Sequence, residues 1–141
     1  DSIQTLDAIF SGAFRKIVQN NRELHRQHID QLASQVVRQI EQSYADSDLS
    51  PTRIADSLGM SSAYLGRIFR ESTQTSISQY LNQTRIRRAE ELLRETEQPV
   101  ETVAGLVGFS NPKYFYVVFK NITGQTPLQF RKAVHSASEK N

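Results

Sequence analysis

At 141 residues, with 38% hydrophobic content and no cysteine, the chain suits one domain of ordinary size, or a compact domain with an extension, with a real core, and disulfide frameworks, thiolate chemistry and Cys-based zinc sites are excluded. The formal net charge of +2 is unevenly spread: residues 1–50 carry five Lys/Arg against seven Asp/Glu, and residues 51–141 carry twelve against eight. The basic second part is compatible with nucleic acid; the longest apolar run falls far short of a bilayer span and the N-terminus has no secretion-signal layout, so a soluble, cytoplasmic chain without membrane contact is expected.

From residue 1 to about Tyr44 there is no Pro and only a lone Gly12, and Ile3, Leu6, Phe10, Ala13 and Ile17 recur at helical intervals alternating three and four. This is a heptad a/d pattern that Leu24 continues, with Asn20 at a polar core-type position. A second stripe, Ile29, Leu32, Val36 and Ile40, follows on a shifted phase, which predicts a break or stutter near residues 20–30. Residues 1–30 therefore read either as a dimerising coiled coil, as the last helix of an upstream domain, or as a helix packed on its own domain.

"YADSDLSP" ends that region. Ser50 is placed to cap a helix opening at Pro51, and Gly59 to end it with a positive φ. A helix from about Ser62 to Ser72 follows, then a long one from about Ser76 to Glu95 that buries Ile77, Leu81, Ala89, Leu92 and Leu93. After "EQP" the cycle recurs: a helix from about Val100 to Val107, Gly108 as its stop, a helix from about Pro112 to Ile122, and a last one opened by Pro127. No strand pattern occurs, so the predicted fold is all-α.

The recurrence extends to single residues. Aligning Ile54 with Val103 pairs Ala55 with Ala104, Gly59 with Gly108 and Ser61 with Ser110; one extra residue near Pro112 and Lys113 then brings Tyr64 onto Tyr114, Phe69 onto Phe119, Thr73 onto Thr123 and Gln79 onto Gln129. Each copy has the layout of a helix-turn-helix, in which a small Ala lets two helices approach, a Gly four residues on makes the turn, and apolar residues pin the second helix. The connecting helix of roughly 20 residues is on the order of 30 Å long. Successive major-groove openings on one face of B-DNA lie about 34 Å apart, so duplication gives one polypeptide two groove contacts, the second formed at high effective concentration.

At these residues the chain resembles the DNA-binding domain of the AraC/XylS family of bacterial transcription regulators, over residues 33 to 133. The motifs that carry the likeness are "IADSLGMSSAYLGRIFR", "YLNQTRIRRAEELL" and "VGFSNPKYFYVVFKNITGQTPLQFRK". The resemblance implies two helix-turn-helix subdomains (about 51–72 and 100–122) joined by a long linker helix (about 76–95), the whole DNA-binding domain spanning 31–135. An N-terminal helical extension, 1–30, would tether it to a larger regulator, and a polar tail, 136–141, would follow. Double-stranded DNA is the implied partner, with RNA polymerase and a second copy of the chain as further candidates. Two departures stand out. Thr73–Gln74 replaces the family's "TG" pair, which predicts a looser or differently shaped turn, and Tyr116–Val117 replaces a usual Ser and Arg, removing one base or phosphate contact.

On the first recognition helix Ser62, Ala63, Gly66, Arg67 and Arg70 share the face opposite Leu65, Ile68 and Phe69, and are candidates for base contact. Arg67 is the foremost, because a guanidinium can take both O6 and N7 of guanine. Asn111, Lys113, Tyr116 and Val117 occupy the corresponding face of the second, where Tyr116 and Val117 offer apolar contact such as a thymine methyl; the alternative for Tyr116 is packing on the protein itself. Candidates for phosphate are Ser61 and Ser110 at the helix starts, Lys120, the linker cluster Arg85, Arg87 and Arg88, and Gln125 and Thr126 in the turn before Pro127. Glu90, Glu91 and Glu95 are placed to pair with part of that cluster.

His25 and His28, with Glu23 and Asp30 nearby, read as a solvated helix surface and not a metal face. No Gly-rich phosphate loop, nucleophile elbow or H-E-x-x-H is present, so no cofactor, metal or catalysis is expected. The rival from another class is a helical protein–protein interaction module, which would carry apolar or mixed outer faces on the two second helices.

Overall fold

The structure, a computed structural model, describes residues 2–139; the polar tail 136–141 and the extension 1–30 therefore each run partly outside the described residues. Those residues form seven helices and no strand: α1 (Ser2–Ser43), α2 (Pro51–Ser57), α3 (Ser62–Thr73), α4 (Ile77–Glu95), α5 (Val100–Leu106), α6 (Pro112–Thr123) and α7 (Pro127–Glu139). This is the expected all-α architecture of two helix-turn-helix units on one long helix.

The break expected in residues 20–30 does not occur, and α1 is a single helix of 42 residues. The phase shift is taken up by using two faces of one rod. Ile29, Leu32, Ala33, Val36 and Ile40 are buried against the first unit, whereas Ile3, Leu6, Phe10, Ile17 and Leu24 stay exposed. At roughly 100° per residue the two stripes lie about 120° apart around the helix axis. The packed body begins at Ile29, two residues before the expected domain start at 31.

Burial divides α4 between two cores. Ile77 and Leu81, at its N-terminal end, join Val36, Ile40, Ile54, Leu65 and Phe69 in the first core. Ile86, Ala89 and Leu93 join Val103, Phe109, Phe115, Phe119 and Phe130 in the second. The linker is thus the closing helix of one unit and the opening helix of the next. A member shared by two cores cannot be tilted without opening one of them, because packed interiors tolerate little void.

The turns repeat at the level of individual hydrogen bonds. Met60 N–H donates to Ala55 O (3.0 Å) and Phe109 N–H to Ala104 O (2.9 Å), the long bond that closes a Schellman turn around a left-handed glycine. Thr73 Oγ1 bonds Phe69 O (2.7 Å) and Thr75 O (3.2 Å), and Thr123 Oγ1 bonds Phe119 O (2.8 Å) and Gln125 O (3.1 Å). At the next helix start Gln79 N–H donates to Ser76 Oγ (3.0 Å), and Gln129 N–H to Thr126 Oγ1 (3.1 Å). The expected loosening at Thr73–Gln74 is absent. Gln74 takes the left-handed conformation itself, φ 65° and ψ 17°, against φ 81° and ψ −2° at Gly124, at the steric cost an L side chain meets there.

Candidate nucleic-acid interface

α3 and α6 each bury one side and expose the other. On α3, Leu65, Ile68 and Phe69 are buried while Ser62, Ala63, Arg67 and Arg70 are exposed, with Gly66 half-buried between them. The helix starts at Ser61, whose hydroxyl accepts from Tyr64 N–H at 3.2 Å. Arg67 lies 5.5 Å from the Tyr64 ring centroid, stacked but not neutralised. Neither Arg67 nor Arg70 has an acidic partner among the described residues.

On α6 the buried side is Phe115, Val118 and Phe119, and the exposed side carries Lys113, Val117 and Lys120, both lysines again without an acidic partner among the described residues. Asn111 is the cap of α6: its Oδ1 accepts from Lys113 N–H (3.0 Å) and Tyr114 N–H (3.4 Å). That leaves only its amide nitrogen to meet DNA, and leaves Ser110 exposed beside the cap instead of forming it. Tyr116 is half-buried, its ring 6.2 Å from that of Phe115 and packed on the second core. The apolar character on this face is therefore carried outward mainly by Val117.

The linker cluster separates into three roles. Arg85 is no phosphate contact. It is only 7% exposed, its Nε donates to Tyr44 O at 2.8 Å and its Nη2 to Asp46 O at 2.9 Å, and its guanidinium lies 5.6 Å from the Phe109 ring centroid. Burial pulls this guanidinium below its ordinary value, opposed by Asp46. Arg87 is exposed and pairs with Glu41 of α1 at 3.3 Å. Arg88 is exposed and bonded to Glu91 one turn on, and that bond raises its guanidinium above the ordinary value. Thr126 is likewise committed elsewhere, as the cap of α7, while Gln125 is half-buried in the turn before it.

Arg131, which no sequence pattern singled out, donates from Nε to Leu93 O (3.1 Å) and from Nη2 to Thr96 O (3.2 Å), closing the C-terminal end of α4. Asn82 Nδ2 donates to the Tyr114 hydroxyl at 3.2 Å, tying the linker to α6. The burial of Arg85 did have a sequence signal: it stands at the four-residue step Ile77, Leu81, Arg85, Ala89, in line with the buried stripe.

Geometry and family agree. Residues 54–133 match the family model described as a helix-turn-helix domain. The Msm operon regulatory protein of Streptococcus mutans is 37% identical over 100 residues, 71% of this chain and 36% of that protein. Among solved structures, the C-terminal domain of AraT, a response regulator from Geobacillus stearothermophilus, is 30% identical with a TM-score of 0.70, over 72% of this chain and 84% of that one. The DNA-binding domain of AdpA, a global transcriptional factor solved in complex with a target DNA, is 26% identical with a TM-score of 0.70, over 78% of this chain and 97% of that one. The fold and its exposed cationic helices define a DNA-binding helix-turn-helix protein. The chain belongs to the AraC-type family of transcription regulators. It spans about a third of the length of curated relatives such as the Msm operon regulatory protein, and no described helix is long and apolar enough to cross a membrane.

Proposed function

We propose that the chain reads a specific duplex DNA sequence by placing α3 and α6 in two successive major grooves, as the DNA-binding part of a cytoplasmic regulator. What supports this reading above all is the shared helix: α4, with 19 residues and a length of about 28 Å, contributes to both cores, so two matched units are carried on one rigid element of a length comparable to the spacing of successive grooves. Arg67 is the base-reading residue of the first unit. Arg70, Lys113 and Lys120, exposed and without acidic partners among the described residues, meet phosphate or the groove floor, and Val117 meets an apolar base edge. Arg87 and Arg88 reach phosphate by leaving surface partners, an exchange of small cost for exposed pairs.

Duplexes selected from a randomised pool, followed by footprinting, test this. Protection of an asymmetric site across two successive major grooves per monomer is expected, and protection confined to one groove would contradict it. A titration over several salt concentrations separates the rival interaction module, since phosphate neutralisation makes log K fall with log salt in proportion to the contacts made. A flat response would favour the rival. RNA polymerase stays a candidate partner with no residue assigned to it.

A second copy of the chain is the proposed partner of the exposed stripe on α1. Ile3, Leu6, Phe10, Ile17 and Leu24 are 58–77% exposed, their a/d spacing is self-complementary, and the packed domain occupies a face about a third of a turn away, leaving the seam open. Sedimentation should give a concentration-dependent dimer that Phe10→Glu with Ile17→Glu abolishes. A monomer at several hundred micromolar would end this part of the proposal.

A further inference from the structure

Three parts of the chain meet at one point between the two units. The carbonyls of Tyr44 and Asp46 lie just past the end of α1, and Tyr44 packs on the first core. Phe109 belongs to the second core. Arg85, from the middle of the shared helix, joins them, with two donors on the carbonyls and its planar face over the ring. Gly108 completes the contact: at φ 104° a Cβ built there would overlap the Tyr44 carbonyl oxygen and sit 2.7 Å from Arg85 Nε. The equivalent Gly59 has nothing within 4 Å of such a Cβ.

From this geometry we infer that Arg85 is a positioning residue that pins the second helix-turn-helix unit against the first, and so fixes which separation of two groove contacts the chain accepts. The chemistry selects arginine. Two donors on one edge of a rigid fork satisfy two carbonyls in fixed directions, while the flat, weakly hydrated face stacks on an aromatic ring. The positive charge also lies where a helix C-terminus presents its negative end. A lysine could supply the charge but neither the fork nor the stack. The glycine lets the second unit's turn come near enough for all three parties to touch.

The pin itself is tested without DNA; only its effect on spacing rests on the two-groove reading. The chain has no cysteine of its own, so Asp56→Cys on α2 and Thr102→Cys on α5, both exposed, give clean spin-label sites in the two units. Pulsed electron resonance should yield one narrow distance distribution with Arg85 present. It should broaden in Arg85→Met and, to a lesser degree, in Arg85→Lys, with helical circular dichroism retained. An unchanged width in a variant that keeps its helicity overturns the inference; if Arg85→Met does not fold, Arg85→Lys decides. On a selected duplex, five extra base pairs between the two protected grooves should weaken binding by the wild-type chain by at least about tenfold, since the second contact is lost, and weaken the Arg85 variants by a smaller factor. A residue that mattered only for stability would lower the unfolding midpoint and leave that ratio in place. Indifference of the wild-type chain to spacing would instead count against the two-groove reading, with the distance widths still deciding the pin.

Discussion

The two helix-turn-helix units share the hydrogen bonds of their turns but not their interiors or their outer faces. In both, the same alanine carbonyl closes the turn and the same threonine hydroxyl bridges the end of the second helix. Inside, the second unit has Phe109, Phe115, Phe119 and Phe130 in a chain of tilted and edge-on rings 5.2–5.7 Å apart. Met60, Leu65, Phe69 and Tyr80 stand at the matching places in the first, with one edge-on pair at 5.9 Å. Outside, Gly66 and Arg67 face Tyr116 and Val117 at equivalent positions. Directional bonds in a tight turn admit few substitutes, a core needs only the right volume, and an exposed face is free to follow whatever it contacts.

The largest expected departure between the units is at their turn glycines. Gly59→Ala should cost about 1–2 kcal/mol, the conformational cost of a left-handed L residue, whereas Gly108→Ala should cost more than about 3 kcal/mol, because overpacking adds to it. Urea unfolding of the two variants measures this, and equal losses would mean that the junction yields. Next comes the reading face. Arg67→Ala should weaken binding to a selected duplex by about 1–3 kcal/mol with a smaller loss on random DNA, while Val117→Ala should cost less than Arg67→Ala on the same duplex. Equal losses would mean that both units read bases to the same extent. Arg70→Ala and Lys120→Ala should each lower the slope of log K against log salt by about one, so a slope that stays put marks a side chain that never touched phosphate. The smallest effect is a reciprocal exchange: Gln74→Gly should stabilise the chain by roughly 1 kcal/mol and Gly124→Gln destabilise it by a similar amount, as thermal unfolding would show.

Much of this organisation is legible residue by residue. Ser50 before Pro51 and the glycines at 59 and 108 fix helix ends through contacts within one turn, and the helices begin and end within a residue or two of where those signals lie. The faces of α3 and α6 follow from period alone. Less legible was the use of α1, because a change of hydrophobic phase marks equally well a helix that breaks and a helix that serves two neighbours on different sides. The linker arginines were the least legible. Arg85, Arg87 and Arg88 look alike in a basic cluster, and only the four-residue step through Leu81 and Ala89 hinted that Arg85 turns inward.

The sequence by itself determined the all-α class, most helix ends and their turn glycines, the duplication and the two cationic faces, since each rests on groups a few residues apart whose geometry the backbone dictates. Tertiary structure decided which arginine would be buried, how one helix would be divided between two cores, and why Gly108 is crowded where Gly59 is not. Those outcomes depend on a carbonyl 41 residues from Arg85 and a ring from the other unit arriving at the same place. Helical periodicity gives the direction in which a side chain points, and only the packed chain supplies what waits there.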